Sequence, residues 1–129
     1  MRLPDPVAPR AGRRIDVSLA PPAMVTAYEG GTPVYSALAL TGIGGWETPP
    51  GSYAIRRRVP NERMRGPGWD VSNVLFTQYF TGAGHAIHYN YWSSNFGYAG
   101  SRGCLGMNYD DSLWFWEWAV VGTPIVVHY

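Results

Sequence analysis

The residues 23–40, AMVTAYEGGTPVYSALAL, constrain the fold most strongly. Two runs rich in β-forming residues flank Gly30 and Gly31, and glycine supplies the positive φ that a tight turn requires. Directly upstream, residues 14–20 alternate apolar and polar side chains with a period of two. That alternation is typical of a strand with one buried face. We therefore predict a strand followed by a β-hairpin.

The rest of the chain continues the same pattern. Glycine and proline contribute 16 and 11 residues, which is rich in turn chemistry and favours many short strands over a helical bundle. The segment MRGPGWD, residues 64–70, is predicted to be a loop. The fold class we predict from this pattern is mainly β. Further predicted strands lie within residues 47–55, 73–80, 85–91 and 123–129.

One segment, MNYDDSLWFWEWA, has the features of a helix. Asn108 is a good N-cap residue, and Asp111 three positions later completes a pattern similar to a capping box. Leu113, Trp114 and Trp118 would fall on one side at helical spacing. We predict that this side packs on the sheets.

Length and charge limit the domain organisation and the partners. The chain has 129 residues, which suits one domain at 14–129 after a Pro-rich leader at 1–13. The net charge of +1 gives no general attraction for nucleic acid or anionic lipid. The arginine run 56–58 is interpreted as a solvated strand end or a pairing site.

No stretch is long enough to span a membrane. The start lacks the apolar core of a signal peptide, so the protein is cytoplasmic or a trimmed part of an exported precursor.

Cys104 is the only cysteine, so it is either a small buried hydrophobe or a nucleophile. As a nucleophile it needs a base and donors for an oxyanion. Gly103 leaves room for a substrate carbonyl beside the backbone. His88, between apolar neighbours, is a candidate base. Arg102 would favour the thiolate by charge attraction.

Other roles for the histidines stay open at this point. His85, His88 and His128 could be half-buried sheet residues. A zinc site from His85, His88 and Cys104 has poor support, because paired Cys/His spacing is missing. Strand alternation would place His85 and His88 on opposite faces, so that at most one faces Cys104.

The segment HYNYWSSNFGYAGSRGCLGM resembles the active-site segment of L,D-transpeptidase catalytic domains, the YkuD-like family. There a histidine follows an apolar pair, and a similar interval leads to Ser-His-Gly-Cys. The similarity continues in the first strands, in ETPPGSYAI, in the middle of the chain and in the closing helix and strand. It covers nearly all of residues 14–129.

The resemblance implies a sandwich- or barrel-like pair of sheets with one short helix, and cysteine acyl transfer between peptidoglycan stem peptides that forms 3→3 crosslinks. It implies no cofactor and no metal, a monomer without membrane insertion, an extracytoplasmic location at the cell wall, and acylation by carbapenems. Cys104 matches the nucleophile and His88 the general base. The remaining matches are Ser101, Arg102, Gly103 and Tyr89 as orienting or oxyanion-site residues, and Tyr91 and Trp92 as substrate-binding residues.

Three positions depart from the family pattern. Arg102 stands where histidine is usual, Gly106 where asparagine or arginine is common, and Tyr89 where glycine is usual. We expect Tyr89 to narrow the mouth of the site. Two alternative functions stay open. The chain could be an L,D-carboxypeptidase with the same Cys/His pair, or a non-catalytic peptidoglycan-binding module.

Overall fold

The fold is a β-sandwich with one helix. The computed structural model describes residues 12–44, 46–101 and 103–129, so most of the predicted leader lies outside the described residues. The first strand begins at Arg13. In chain order the elements are β1 Arg13–Ser18, β2 Met24–Glu29, β3 Thr32–Leu38, β4 Thr41–Gly42, β5 Gly51–Ala54, β6 Arg57–Gly66, β7 Trp69–Tyr79, β8 Ala86–Tyr89, β9 Ala99–Ser101, β10 Leu105–Met107, α1 Tyr109–Trp118 and β11 Pro124–His128.

The larger sheet has five strands in the order β3-β2-β1-β11-β5. The predicted hairpin is confirmed: β2 and β3 pair antiparallel across a turn at Gly30, whose φ is 62°. The first and last strands, β1 and β11, are parallel neighbours, with Ile15 opposite Ile125. These residues are buried, because the inward face of both strands packs into the core.

The second sheet has four strands in the order β10-β8-β7-β6, and a small third sheet pairs β4 with β9. Here the predicted loop at residues 64–70 is wrong. Strands β6 and β7 form one long hairpin through that segment, and only Pro67 and Gly68 lie in its turn. The hairpin is bent, since Asn73 and Phe76 have φ values of 58° and 57° and the pairing register shifts along it.

The predicted helix is confirmed, and its cap is as expected. The Asn108 side chain accepts a hydrogen bond of 2.8 Å from the backbone N–H of Asp111. The predicted packing face is partly wrong, because Phe115 is fully buried whereas Leu113 is only half-buried. Trp118 is buried as expected, and Trp114 packs against the core from its edge.

One hydrophobic core lies between the sheets and α1. It joins Ile15 and Val127 of the large sheet to Ile87 of β8 and Phe115 of α1.

Within the described residues, no helix is long and apolar enough to cross a membrane. The arginine run is a pairing site as interpreted, since Arg58 at the start of β6 binds the Gln78 side chain at 3.0 Å.

Candidate active site

Strand β8 places the predicted base on the face away from the core. Its alternation sends Ile87 into the core and His88 to the opposite side. The neighbouring strand β10 runs parallel, with Gly106 opposite His88. Cys104 lies directly before β10, and it lines the same cavity as His88. The pairing of two short strands thus brings the predicted nucleophile and base together.

His88 is 2% exposed, and its protonation state follows from its partner. Its Nδ1 lies 2.7 Å from the Tyr89 carbonyl oxygen, which can only accept a hydrogen bond. Nδ1 therefore carries the proton, and Nε2 keeps a free lone pair. Burial lowers the pKa of His88 to about 4, against a smaller upward effect of the Tyr89 hydrogen bond. The imidazole is neutral at pH 7, and the ring of Trp92 stacks on it at 5.9 Å.

The thiol of Cys104 is also neutral in the resting site. It is half-buried and donates a weak hydrogen bond, 3.6 Å long, to the Gly84 carbonyl. Burial raises the pKa of Cys104 to about 11, although a hydrogen bond from the Ala86 backbone acts in the opposite direction. Arg102 lies outside the described residues, so its predicted attraction for the thiolate stays a prediction.

The turn before Cys104 is held by hydrogen bonds. The Ser101 hydroxyl donates to the Cys104 carbonyl at 2.6 Å and accepts from the Gly103 N–H at 3.2 Å. Thr48 donates to the Gly103 carbonyl at 2.6 Å. Gly103 has a φ of 104°, and a Cβ there would lie 3.0 Å from the His85 ring. The turn therefore requires glycine at this position.

The second histidine of this region faces the same cavity as the first. His85 lies just before β8, outside the regular alternation, and both His85 and His88 line the cavity. The expectation that these two histidines occupy opposite faces is therefore wrong. The Nδ1 atom of His85 is 2.7 Å from the Thr81 hydroxyl, and its other edge packs on Gly103. The part of the chain that the structure describes holds no cluster of three potential metal ligands.

Asn90 explains the glycine at position 106. A Cβ on Gly106 would lie 2.8 Å from the Asn90 Cβ and 2.9 Å from its Nδ2, so the asparagine occupies this space. Asn90 is 2% exposed. Neither polar atom of its amide has a hydrogen-bond partner among the described residues. The space beside position 106 is thus filled by the residue that directly follows β8.

Three aromatic residues predicted at the site have different positions. Trp92 lines the cavity, and Tyr91 packs edge-on against it with ring centroids 4.9 Å apart. Tyr89 does not narrow the cavity, because its ring packs against Tyr91 and Tyr109 away from the opening. Only the Tyr89 carbonyl reaches the site, as the partner of His88.

The site opens into a cavity of about 480 Å³. One wall is the β6–β7 hairpin, which the sequence analysis missed because it treated part of it as a loop. Glu62 and Met64 on β6 are half-buried lining residues, whereas Arg63 and Arg65 between and beside them are exposed and line the cavity as well, and Trp69 and Val71 line it from β7. The alternation of polar and apolar residues along these strands was the signal available in the sequence. Further lining residues are Trp46, Arg57, Tyr79, Ala83, Gly84, Gly100, Ser101 and Cys104.

The fold and the site define a β-sandwich with a Cys/His pair in an open cavity. The comparison with known families gives a more specific identification. Residues 12–127 match the family model for the L,D-transpeptidase catalytic domain, YkuD. The chain belongs to this family, as the segment around Cys104 suggested.

Several solved structures share this fold. An L,D-transpeptidase in complex with imipenem, LdtMt1, is 23% identical, with a TM-score of 0.83 over 91% of this chain and 59% of its own. An L,D-transpeptidase from Mycobacterium smegmatis is 23% identical, with a TM-score of 0.81 over 92% and 60%. A mutant of the Enterococcus faecium enzyme is 19% identical, with a TM-score of 0.83 over 91% and 50%. No curated protein matches the chain.

Proposed function

We propose that this chain is a peptidoglycan L,D-transpeptidase, with residues 14–129 as its catalytic domain. The observation that carries the proposal is a neutral imidazole with a free Nε2 that lines the same open cavity as a thiol. The chain covers only 50% to 60% of the solved structures named above. The activity, the peptidoglycan substrate and the cell-wall location are therefore proposed for the protein as a whole, as is the monomeric state.

The first half-reaction forms a thioester. The Cys104 sulfur attacks the carbonyl of the third residue of a tetrapeptide stem, a diamino acid, while Nε2 of His88 takes the thiol proton. The backbone N–H of Cys104 makes no hydrogen bond within the described residues and is the proposed oxyanion donor. The C–N bond then breaks, and His88 returns the proton to the amine of the departing D-Ala.

The second half-reaction regenerates the thiol. The side-chain amine of an acceptor stem attacks the thioester carbonyl, and His88 takes the proton that this amine loses. The C–S bond breaks, the new amide forms a 3→3 crosslink, and Cys104 recovers its proton from His88. Since both resting groups are neutral, proton transfer accompanies the attack on the carbonyl instead of preceding it. No step requires a metal or a cofactor.

Mass spectrometry tests the proposal. We would incubate the protein with a disaccharide-tetrapeptide and follow both the intact protein mass and the peptide products. The expected results are an acyl adduct that Cys104→Ala lacks, release of D-Ala, and a crosslinked dimer. Release of D-Ala without a dimer would instead show an L,D-carboxypeptidase. Binding with neither an adduct nor D-Ala release would show a non-catalytic wall-binding module.

A further inference from the structure

The β6–β7 hairpin gives the cavity a positively charged wall. Arg57, Arg63 and Arg65 line the cavity on this side, whereas Glu62 is the single acidic residue among the cavity-lining residues that the structure describes. The two lining histidines do not add charge at pH 7, because burial lowers the pKa of both.

Two of the three arginines already have acidic partners. Arg63 binds both carboxylate oxygens of Asp70, at 2.9 and 2.5 Å. Arg57 lies 3.4 Å from the Glu62 carboxylate and over the ring of Tyr79 at 4.6 Å. Each of these positive charges is therefore balanced by a carboxylate on the same hairpin.

Arg65 is the third arginine of this wall, and it shares the charge of Asp70 with Arg63 without binding that carboxylate directly. It is exposed, and among the described residues it makes no hydrogen bond or ion pair. Its cross-strand neighbour is Asp70, whose oxygens both already bind Arg63. A guanidinium with free N–H donors at the wall of a substrate cavity is suited to bidentate binding of a carboxylate.

The bend of the hairpin lets this arginine act on the same ligand as the nucleophile. Arg65 lies next to the turn at Pro67 and Gly68, far along β6 from Arg57. Both ends of the strand nevertheless line one cavity with Cys104, because the register shift and the left-handed residues Asn73 and Phe76 curve the hairpin over it.

We propose that Arg65 binds a carboxylate of the donor stem peptide and makes the site selective for stems with free carboxylates over stems with carboxamides. This inference rests on the proposed function. The carboxylate is either that of the terminal D-Ala or one borne by a side chain of the stem. Both present the same chemistry, and conversion to a carboxamide removes the charge and one acceptor oxygen in either case.

Calorimetric titration of Cys104→Ala tests the inference without turnover. Three donors would be compared: a disaccharide-tetrapeptide with all carboxylates free, the same compound with a terminal carboxamide, and the same compound with its side-chain carboxylates as carboxamides. We expect one carboxamide donor to bind about tenfold more weakly, the scale of one partly exposed charged hydrogen-bonded pair. The carboxamide donor that binds more weakly identifies which carboxylate of the stem Arg65 binds.

Adding Arg65→Gln to this variant should weaken binding of the free donor about tenfold and leave the weaker carboxamide donor unchanged. Arg56→Gln is the matched control, since Arg56 is exposed and outside the cavity lining but loses the same charge. Equal binding of all three donors would overturn the inference, and so would an equal effect of the two arginine substitutions. Neither result touches the proposed function, which depends on acylation of Cys104 in the wild-type protein.

Discussion

Replacing Gly106 by alanine should destabilise the fold through one identified collision. The new methyl group would lie 2.8 Å from the Asn90 Cβ, 2.9 Å from its Nδ2 and 3.2 Å from its Cγ. Carbon atoms in optimal contact are roughly 3.5–4.0 Å apart, so all three distances are repulsive. Gly106 lies in β10 and Asn90 directly follows β8, both positions are buried, and overpacking in such places costs about 1–3 kcal/mol.

A double-mutant cycle measures how much of this cost belongs to the Asn90 contact. The four proteins are wild type, Gly106→Ala, Asn90→Gly and the double variant, and urea denaturation gives the free energy of unfolding of each. Asn90→Gly removes every atom that the new methyl group would meet. We therefore expect Gly106→Ala to cost about 1–3 kcal/mol in wild type and less than about 0.5 kcal/mol in the Asn90→Gly background.

Additive effects of the two substitutions would refute this reasoning. In that case the cost of alanine would arise from the β10 backbone and not from the asparagine side chain. The unfolding transition must keep the same denaturant slope in all four proteins for the comparison to hold.

Four further predictions concern the Cys/His pair. His88→Ala should reduce turnover by roughly 10²-fold or more, whereas His85→Ala should reduce it less than tenfold in the same assay; the reverse order would transfer the base role to His85. Burial lowers the pKa of His88 from the ordinary 6.5 to about 4 in the folded protein, so its contribution to stability is complete above pH 6.5 and is lost as the pH falls towards 4. Wild type should lose roughly 3 kcal/mol more than His88→Gln in urea titrations over that window, and equal losses would contradict the buried neutral imidazole. Because burial raises the pKa of Cys104, its iodoacetamide alkylation should reach its midpoint above the roughly 8.5 of a free thiol, and a midpoint near neutrality would mean that Arg102 dominates. Intact-mass analysis should show one carbapenem added to wild type and none to Cys104→Ala, and an adduct on the alanine variant would place the reactive group elsewhere.

Local chemistry made several elements predictable from the sequence. The turn at Gly30 and the cap at Asn108 depend on residues adjacent in the chain, and both occur as predicted. The grouping of His88 with Cys104 came from the family resemblance, and the pairing of β8 with β10 accompanies their position in one cavity.

The features that the sequence analysis missed depend on contacts between distant segments. The prediction placed a loop around Gly66, Pro67 and Gly68, where the structure has the hairpin that forms the cavity wall. Only a two-residue turn separates the two strands of this hairpin. Phe115 lies in the core in place of Leu113, because α1 buries the face that carries Ser112, Phe115 and Trp118. His85 does not follow the alternation of β8, because this strand begins one residue later. The Asn90 side chain packs against Gly106 from a distant part of the chain, so no local sequence pattern indicates this contact.

The central position of β11 has a consequence for folding during synthesis. β11 lies between β1 and β5, and β5 contacts the large sheet only through it. A ribosome-bound chain can form the β2–β3 hairpin early, but one edge of β1 stays open until residues 124–128 have emerged. An open apolar edge strand is a template for pairing with other chains. The nascent protein is therefore prone to aggregation until β11 has paired with β1, and chaperones that shield β1 would act in that interval.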